Sequence, residues 1–203
     1  ACAPYRRLHL CHHNLESISN YNSNAKHKLL AEVCMAAKFE GESITGEYPK
    51  YQRTYEGSGF TLCTMLARSF ADIGDIVRGK DLFLGNDEEK KKRKQLDDNL
   101  KTIFKNIYDN LNGAKERYNK DDDNFFQLRE DWWTANRHTV WEAITCNDDK
   151  KLRDASYFRP TCDSGDNRGG AQANNKCRCE GANVVPTYFD YVPQYLRWFE
   201  EWA

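Results

Sequence analysis

Residues 60–76 read FTLCTMLARSFADIGDI. Apolar side chains recur there three or four positions apart, as they do along one face of a helix. They are Leu62, Cys63, Leu66, Phe70 and Ile73. The spacing predicts an α-helix over this stretch.

The same period recurs on both sides of this stretch. It predicts helices from His27 onward, over residues 88–111 and 125–144, and from Pro193 to the end. The segment from Gly41 to Gly59 contains Gly, Pro and three Tyr and is predicted to be a loop. Patterns typical of strands are nearly absent, so the sequence predicts an all-α fold.

Residues 147–185 have no periodicity and are rich in Asp, Asn and Gly. A loop of that length in a compact domain is usually functional, disordered or held by cross-links, and its cysteines favour cross-links. The chain has eight cysteines: Cys2, Cys11, Cys34, Cys63, Cys146, Cys162, Cys177 and Cys179. An even number in polar, loop-rich surroundings indicates disulfides formed in an oxidising compartment.

Zinc is the alternative for these cysteines. Structural zinc sites take pairs of ligands two to four residues apart, whereas Cys177 and Cys179 are separated by a single residue. We therefore predict disulfides, with no metal and no cofactor. A bond between Cys34 and Cys63 would join two apolar helix faces and staple a helical hairpin.

Composition excludes two classes of protein. Net charge is -1 over 203 residues, which is unlike a uniformly basic nucleic-acid binder. Mean hydropathy is -0.87, and no apolar run approaches 18 residues, so no membrane-spanning helix is predicted.

One motif resembles a phosphate-binding loop. Residues 74–81 fit G-x-x-x-x-G-K, but Asp81 stands where that loop needs Ser or Thr, and a predicted helix precedes it instead of a strand. Neither G-x-S-x-G nor H-E-x-x-H occurs, and the cysteines are assigned to disulfides. The sequence therefore predicts no nucleotide site, no catalytic residues and no enzyme.

Five consecutive cations begin the helix predicted over residues 88–111. They are Lys90, Lys91, Lys92, Arg93 and Lys94. Each helical residue turns about 100° from the last, so the five cannot all face one way. They form either a solvated helix start or a patch that binds a sulfated, anionic glycan.

The five tryptophans lie on two predicted helices. They are Trp132, Trp133, Trp141, Trp198 and Trp202. Their helical spacing predicts packing between those helices, and an exposed binding hot spot is the alternative.

Several long blocks of the chain resemble one family. They are ACAPYRRLHLC at 1–11, ARSFADIGDIVRGKDLF at 67–83, DWWTANR at 131–137, VWEAITC at 140–146 and VPTYFDYVPQYLRWFEEWA at 185–203. Together they resemble the Duffy-binding-like domain of malaria-parasite adhesins. They are most similar to its alpha class, as found in Plasmodium falciparum erythrocyte membrane protein 1.

The resemblance implies a disulfide-stabilised, mostly helical domain. Residues 1–60 would be part of a first subdomain and residues 61–203 a second, helical subdomain that is cut at its C-terminus before a third. The resemblance also implies that Cys34 pairs with Cys63. It further implies that Cys146 and Cys162 pair with Cys177 and Cys179, in an order left open.

The resemblance implies an adhesin module with no enzymatic activity. Its parent would be anchored in the infected red-cell membrane, and the module would lie on the extracellular face. The implied partners are host receptors on erythrocytes or endothelium, sulfated glycans, blood-group sugars and antibodies, but not nucleic acid. The alternative is a structural or immune-exposed segment with no ligand of its own.

Overall fold

The computed structural model describes residues 2–16, 25–54, 61–146, 151–162, 170–181 and 183–202. Within these ranges the chain forms seven α-helices. They are α1 (Tyr5–Leu8), α2 (His13–Glu16), α3 (Ala25–Thr54), α4 (Leu62–Arg78), α5 (Asp87–Asp109), α6 (Phe126–Ile144) and α7 (Gln194–Trp202). Two short 3-10 turns lie at Lys115–Tyr118 and Phe189–Tyr191. The same ranges contain no strand beyond two isolated bridges, and the all-α prediction is confirmed.

Helix α4 occupies the centre of the fold, and all of its residues except Met65 are buried. It packs between α3 and α6 and also contacts α1 and α7. The ring of Phe70 lies 5.1 Å from that of Trp133 and 5.2 Å from that of Trp141. At Gly74 an added Cβ would lie 2.7 Å from the Trp133 ring, so this glycine allows α4 and α6 to approach closely.

Local sequence signals set the helix ends. Asn86 and Glu89 form a capping box at the start of α5. Gly79 ends α4 in the left-handed conformation, with φ 73°. The Asp121 carboxylate accepts the backbone N–H groups of Gln127 and Leu128 and so stabilises the N-terminus of α6.

The prediction of a loop over residues 41–59 is wrong for residues 41–54, because α3 continues to Thr54. Residues 55–59 lie outside the described ranges. A side chain at Gly41 would clash with the main chain of Ile144. This glycine therefore serves a close contact between α3 and α6 and does not mark a turn. Ile44 and Thr45 are buried one turn further along.

The longer α3 also changes the disulfide pairing. Cys34 lies 20 residues before the end of α3, about 30 Å along the axis, whereas Cys63 is the second residue of α4. A short connection between the two helices cannot bring these cysteines together. Cys63 is bonded to Cys177 instead, so the expected Cys34–Cys63 bond is wrong.

The second disulfide joins Cys162 to Cys179 and is one of the pairings left open. Cys146 and Cys34 are both unbonded and half-buried, so the expected bond from Cys146 to Cys177 or Cys179 is wrong. The Cys63–Cys177 disulfide ties the 147–185 segment to α4, and the indole N–H of Trp141 donates to the Cys177 carbonyl at 3.1 Å, whereas the Cys162–Cys179 disulfide lies within the segment.

Four of the five tryptophans are buried, but Trp202 is 61% exposed, and α7 packs against α4. Helix α7 has a polar inner face that includes Gln194 and Arg197, both buried. Its outer face carries four exposed apolar residues, namely Tyr195, Leu196, Phe199 and Trp202. Trp202 is exposed because the polar inner face of α7 packs against buried carboxylates of α4, which leaves the apolar face of α7 on the outside.

Candidate functional site

The predicted basic patch at the start of α5 divides into two parts. Lys90, Lys91, Lys92 and Lys94 are exposed, and the Lys90 ammonium lies 3.2 Å from the Asp87 carboxylate. Arg93 points inward, forms an ion pair with Asp81 and lies over the Phe83 ring at 5.5 Å. The structure thus leaves four of the five predicted glycan-binding cations exposed at the start of α5 and turns the fifth inward.

The helical period already contains a signal for Arg93. It precedes Leu96 by three residues and Leu100 by seven, which places it on the buried face of α5. Burial, with a contribution from the Arg7 charge, lowers the pKa of Arg93 to about 10. Arg93 therefore belongs to the interior of the protein, not to a ligand surface.

Asp81 is the centre of this interior cluster. Two nitrogens of Arg7 donate to its carboxylate at 3.2 and 2.6 Å, and the Gln194 amide donates at 2.7 Å. The Arg7 side chain is fully buried and lies over the Phe83 ring at 4.7 Å. Burial lowers the pKa of Arg7 to about 10 despite the nearby carboxylates. The cluster ties α1 and α5 to the segment that follows α4.

A second cluster surrounds Asp72 on α4. Its carboxylate accepts hydrogen bonds from Arg197 at 2.7 Å and Gln194 at 3.0 Å, and it pairs with Arg6 at 2.7 Å. Burial alone would raise the pKa of Asp72, but the charges of Arg6 and Arg197 outweigh it and the pKa lies below its usual value. This carboxylate is therefore held ionised in the core.

Asp75 and Asp190 extend the network to α6. Arg78 donates to the Asp75 carboxylate at 2.7 Å and to the Asp190 carbonyl at 2.6 Å. Two nitrogens of Arg137 donate to the Asp190 carboxylate, both at 2.7 Å, and the Trp133 indole N–H donates to the same carboxylate at 2.9 Å. Bidentate, charge-assisted bonds of this kind fix geometry. The G-x-x-x-x-G-K segment therefore supplies ion pairs that hold helices together: the side chains of Asp75, Arg78 and Asp81 are buried, whereas Lys80 is exposed.

The ion-pair network predicts how stability responds to acid. The pKa values of Asp72, Asp97 and Asp131 all lie below the ordinary 3.8. Groups with depressed folded-state pKa values stabilise the protein above the unfolded-state value, and this contribution is lost as pH falls through the folded-state value. We expect the free energy of unfolding to decrease once pH drops below about 4.

Urea unfolding at pH 7, 5, 4 and 3 measures this decrease. Asp75 acts in the opposite direction, because burial raises its pKa and the nearby Arg197 and Arg78 offset this only in part. Asp75 therefore reduces the decrease in the free energy of unfolding at low pH. Stability that rose steadily from pH 5 to pH 3 would contradict the expected balance.

Clefts on the described surface include the following three. One of about 340 Å³ lies between α4, α6 and the start of α7, with Lys80, Glu130, Tyr191 and Tyr195 in its lining. One of about 200 Å³ lies beside Arg93 and Phe126. The third, about 620 Å³ and the largest of these three, lies between α5 and the segment that leads into α6.

The part of the chain that the structure describes contains neither a candidate metal-binding cluster nor a candidate membrane-spanning helix. It holds no group of three or more His, Cys, Asp or Glu side chains placed to bind a metal ion. None of its helices is long and apolar enough to span a membrane.

Comparison with known proteins gives the family. The model of the Duffy binding domain matches residues 1–197. No curated protein sequence matches the chain. Among solved structures, the NTS-DBL1(alpha-1) domain of Plasmodium falciparum membrane protein 1 (PfEMP1) from the varO strain is 43% identical, with a TM-score of 0.77. The match covers 100% of this chain and 43% of that one.

Two further structures agree with this match. The NTS-DBL1-alpha and CIDR-gamma double domain of the Plasmodium falciparum varO PfEMP1 is 44% identical, with a TM-score of 0.78, and the match covers 100% of this chain and 27% of that one. The DBLbeta domain of the IT4var13 PfEMP1, bound to ICAM-1, is 31% identical, with a TM-score of 0.66 and coverage of 100% and 44%.

The chain spans less than half the length of each of these structures. The family match extends over nearly all of it, and the identity is higher to the alpha-class domains than to the DBLbeta domain. The chain belongs to the Duffy binding domain family of adhesins and, within it, to the alpha class of PfEMP1 domains.

Proposed function

We propose that the chain is part of an adhesion module on the surface of the infected red cell, where it binds receptors or glycans of host cells. One observation carries the proposal: a relative that is 31% identical over the whole of this chain is solved in complex with ICAM-1. The proposed partners are receptors on erythrocytes or endothelium, including those that mediate rosetting. Sulfated glycans, blood-group sugars and antibodies complete the set.

The proposed division of the chain follows the same family. Residues 1–60 form part of a first subdomain and residues 61–203 a second, with a third supplied by the longer parent. The parent also supplies the membrane anchor, and the module lies on the extracellular face of the host membrane.

For a sulfated glycan, the proposed site is the exposed patch of Lys90, Lys91, Lys92 and Lys94. Exposed ammonium groups attract sulfates through charge, and salt weakens that attraction. The support is local: these four side chains face solvent at one end of α5. Arg93 is excluded because it pairs with Asp81 in the interior.

Replacing all four lysines with glutamine should weaken heparin binding. Surface charges contribute roughly 0.2–1 kcal/mol each, so the four lysines together contribute about 0.8–4 kcal/mol and we expect weakening of about fourfold or more. A heparin column measures the effect as the salt concentration needed for elution.

The matched control carries glutamine at Lys26, Lys28, Lys38 and Lys50 on α3 and so loses the same charge. It should elute close to the unmodified chain. Equal elution of both variants would contradict the site at residues 90–94. Flow-through of the unmodified chain would leave protein receptors, or a segment with no ligand of its own, as the function to test with intact red cells.

A further inference from the structure

The cleft beside α5 is bounded by the outer face of that helix and the segment from Tyr118 to Phe125. Its volume is about 620 Å³, within the range of small-ligand sites. Three aromatic rings line it, together with four carboxylates and two ammonium groups. These residues are Tyr108, Tyr118, Phe125, Asp109, Asp121, Asp122, Asp123, Lys101 and Lys105.

The aromatic wall already accepts a cation. The Tyr108 and Phe125 rings lie 5.9 Å apart between centroids, and the Lys115 ammonium lies 5.4 Å above the Tyr108 ring. An ammonium or guanidinium within about 6 Å of a ring centroid is attracted by the negative ring face. Lys115 thus shows that the geometry at Tyr108 suits a positive charge.

The charges that line the cleft favour a cation over an anion. Both lysines are engaged by carboxylates, Lys101 by Asp97 at 2.8 Å and Lys105 by Asp109 at 3.2 Å. Hydrogen bonds from Asn124 to the Asp122 carboxylate lower the pKa of Asp122, which keeps it ionised at neutral pH. The lining therefore carries more negative than positive charge.

The position of Phe125 brings the ring and the carboxylates together. Phe125 has φ 55° and ψ 38°, a left-handed conformation that is unfavourable for a residue with a side chain. The Asp121 carboxylate, bonded to the backbone of Gln127 and Leu128, holds the segment on the start of α6. The ring of Phe125 is thereby fixed against Tyr108.

From this arrangement we infer that the cleft binds a basic side chain, arginine or lysine, presented by a protein partner. The inference rests on the proposed adhesive function and names the chemistry of one contact in it. Aromatic faces and carboxylates together recognise a guanidinium or ammonium group, and arginine is enriched among side chains that dominate protein interfaces. The site differs in position and in sign of charge from the lysine patch on α5.

Nuclear magnetic resonance titration tests the inference on the oxidised chain. The probe is N-acetylarginine methylamide, and the matched control probe is its citrulline analogue, which is similar in shape but uncharged. We expect the arginine probe to shift the backbone amides of residues 118–125 and the citrulline probe to shift them at least tenfold more weakly.

Two variants locate the binding site. Asp122→Asn with Asp123→Asn removes two exposed charges and should weaken the arginine probe about tenfold, because an asparagine at 122 can still accept the Asn124 hydrogen bond. Phe125→Asn removes the ring but tolerates the left-handed backbone, and should weaken the probe by a similar factor. The control, Glu42→Gln with Glu47→Gln on α3, should leave the titration unchanged.

Equal binding of the two probes, or unchanged binding by both cleft variants, would overturn the inference. Binding of the chain to red cells and endothelial cells separates this result from the proposed function. If cells bind the Asp122→Asn, Asp123→Asn variant as well as the unmodified chain, the inference fails and the adhesive function stands. If no cell binds the unmodified chain but the arginine probe still binds the cleft, the adhesive function fails and the cation site stands.

Discussion

Replacing Cys63 and Cys177 together with serine should lower the free energy of unfolding by about 4–5 kcal/mol. The two cysteines are 114 residues apart in the sequence, so their bond closes more than half of the chain into one loop. In the chain-entropy account, a longer closed loop restricts the unfolded state more and stabilises the folded state more. For a chain of this size the loss corresponds to a decrease in Tm of roughly 10–18 °C.

The second disulfide provides a comparison within the same protein. Cys162 and Cys179 are 17 residues apart, and loops of that length are stabilised by about 3 kcal/mol. Serine at both of these positions should therefore cost about 1–2 kcal/mol less than serine at Cys63 and Cys177. Urea unfolding of the oxidised proteins, with circular dichroism at 222 nm, measures both losses.

Cys34→Ser is the control that distinguishes the two possible pairings of Cys63. Because Cys34 forms no disulfide, its substitution removes no loop closure and should leave the midpoint of unfolding close to that of the unmodified chain. A loss at Cys34 as large as that at Cys63 and Cys177 would contradict the pairing described above. Mass spectrometry of non-reduced peptides gives an independent assignment, since the peptides containing Cys63 and Cys177 should remain linked.

The helical period predicted α4 to α7 closely, because each of these helices carries an uninterrupted run of apolar positions or a clear capping signal. It predicted the end of α3 poorly. Gly41 and Pro49 resemble loop signals in the sequence, yet Gly41 permits contact with Ile144 and Pro49 lies inside the helix. Tertiary packing decides such positions, and a single sequence does not contain the neighbour that explains them.

The buried charges were missed for a related reason. Single charged residues are usually exposed, but Arg7, Asp72 and Arg197 are buried because each forms an ion pair: Arg7 pairs with Asp81, and Asp72 pairs with Arg197. Their partners are more than 60 residues apart in the sequence. Only Arg93 had a local signal, since it shares a helix face with Leu96 and Leu100.

The cleft beside α5 also lies beyond a sequence-based prediction. Tyr108 and Phe125 come together through a turn and a left-handed aromatic residue, and neither feature has a sequence signature. In the acidic run at residues 121–123, Asp121 stabilises the start of α6. The structure adds that its neighbours face a cleft with aromatic walls.

Asp72→Asn should lower the free energy of unfolding by about 3–5 kcal/mol, because removing one partner from a buried ion-pair network leaves the opposing charges uncompensated. Arg6 and Arg197 both face this carboxylate at 2.7 Å, and the side chains of Asp72 and Arg197 are almost wholly inaccessible to solvent. Asparagine keeps the size of the side chain and can still accept one hydrogen bond from Gln194, so the loss reports mainly on charge. Urea unfolding at pH 7 measures it, with Asp98→Asn on the exposed face of α5 as a control that should change stability by no more than about 0.5 kcal/mol.

The pH dependence of this loss separates charge from packing. The pKa of Asp72 lies below its ordinary 3.8, so the charge stabilises the fold above that value and the stabilisation is lost as pH falls through the folded-state pKa. Protonation of the unmodified chain then produces the same neutral group that the substitution introduces. The difference between the two proteins should therefore be full at pH 7 and smaller at pH 3. A difference that stayed constant over this range would mean that Asp72 acts through shape alone, and that the arginines of α1 and α7 are stabilised by other carboxylates.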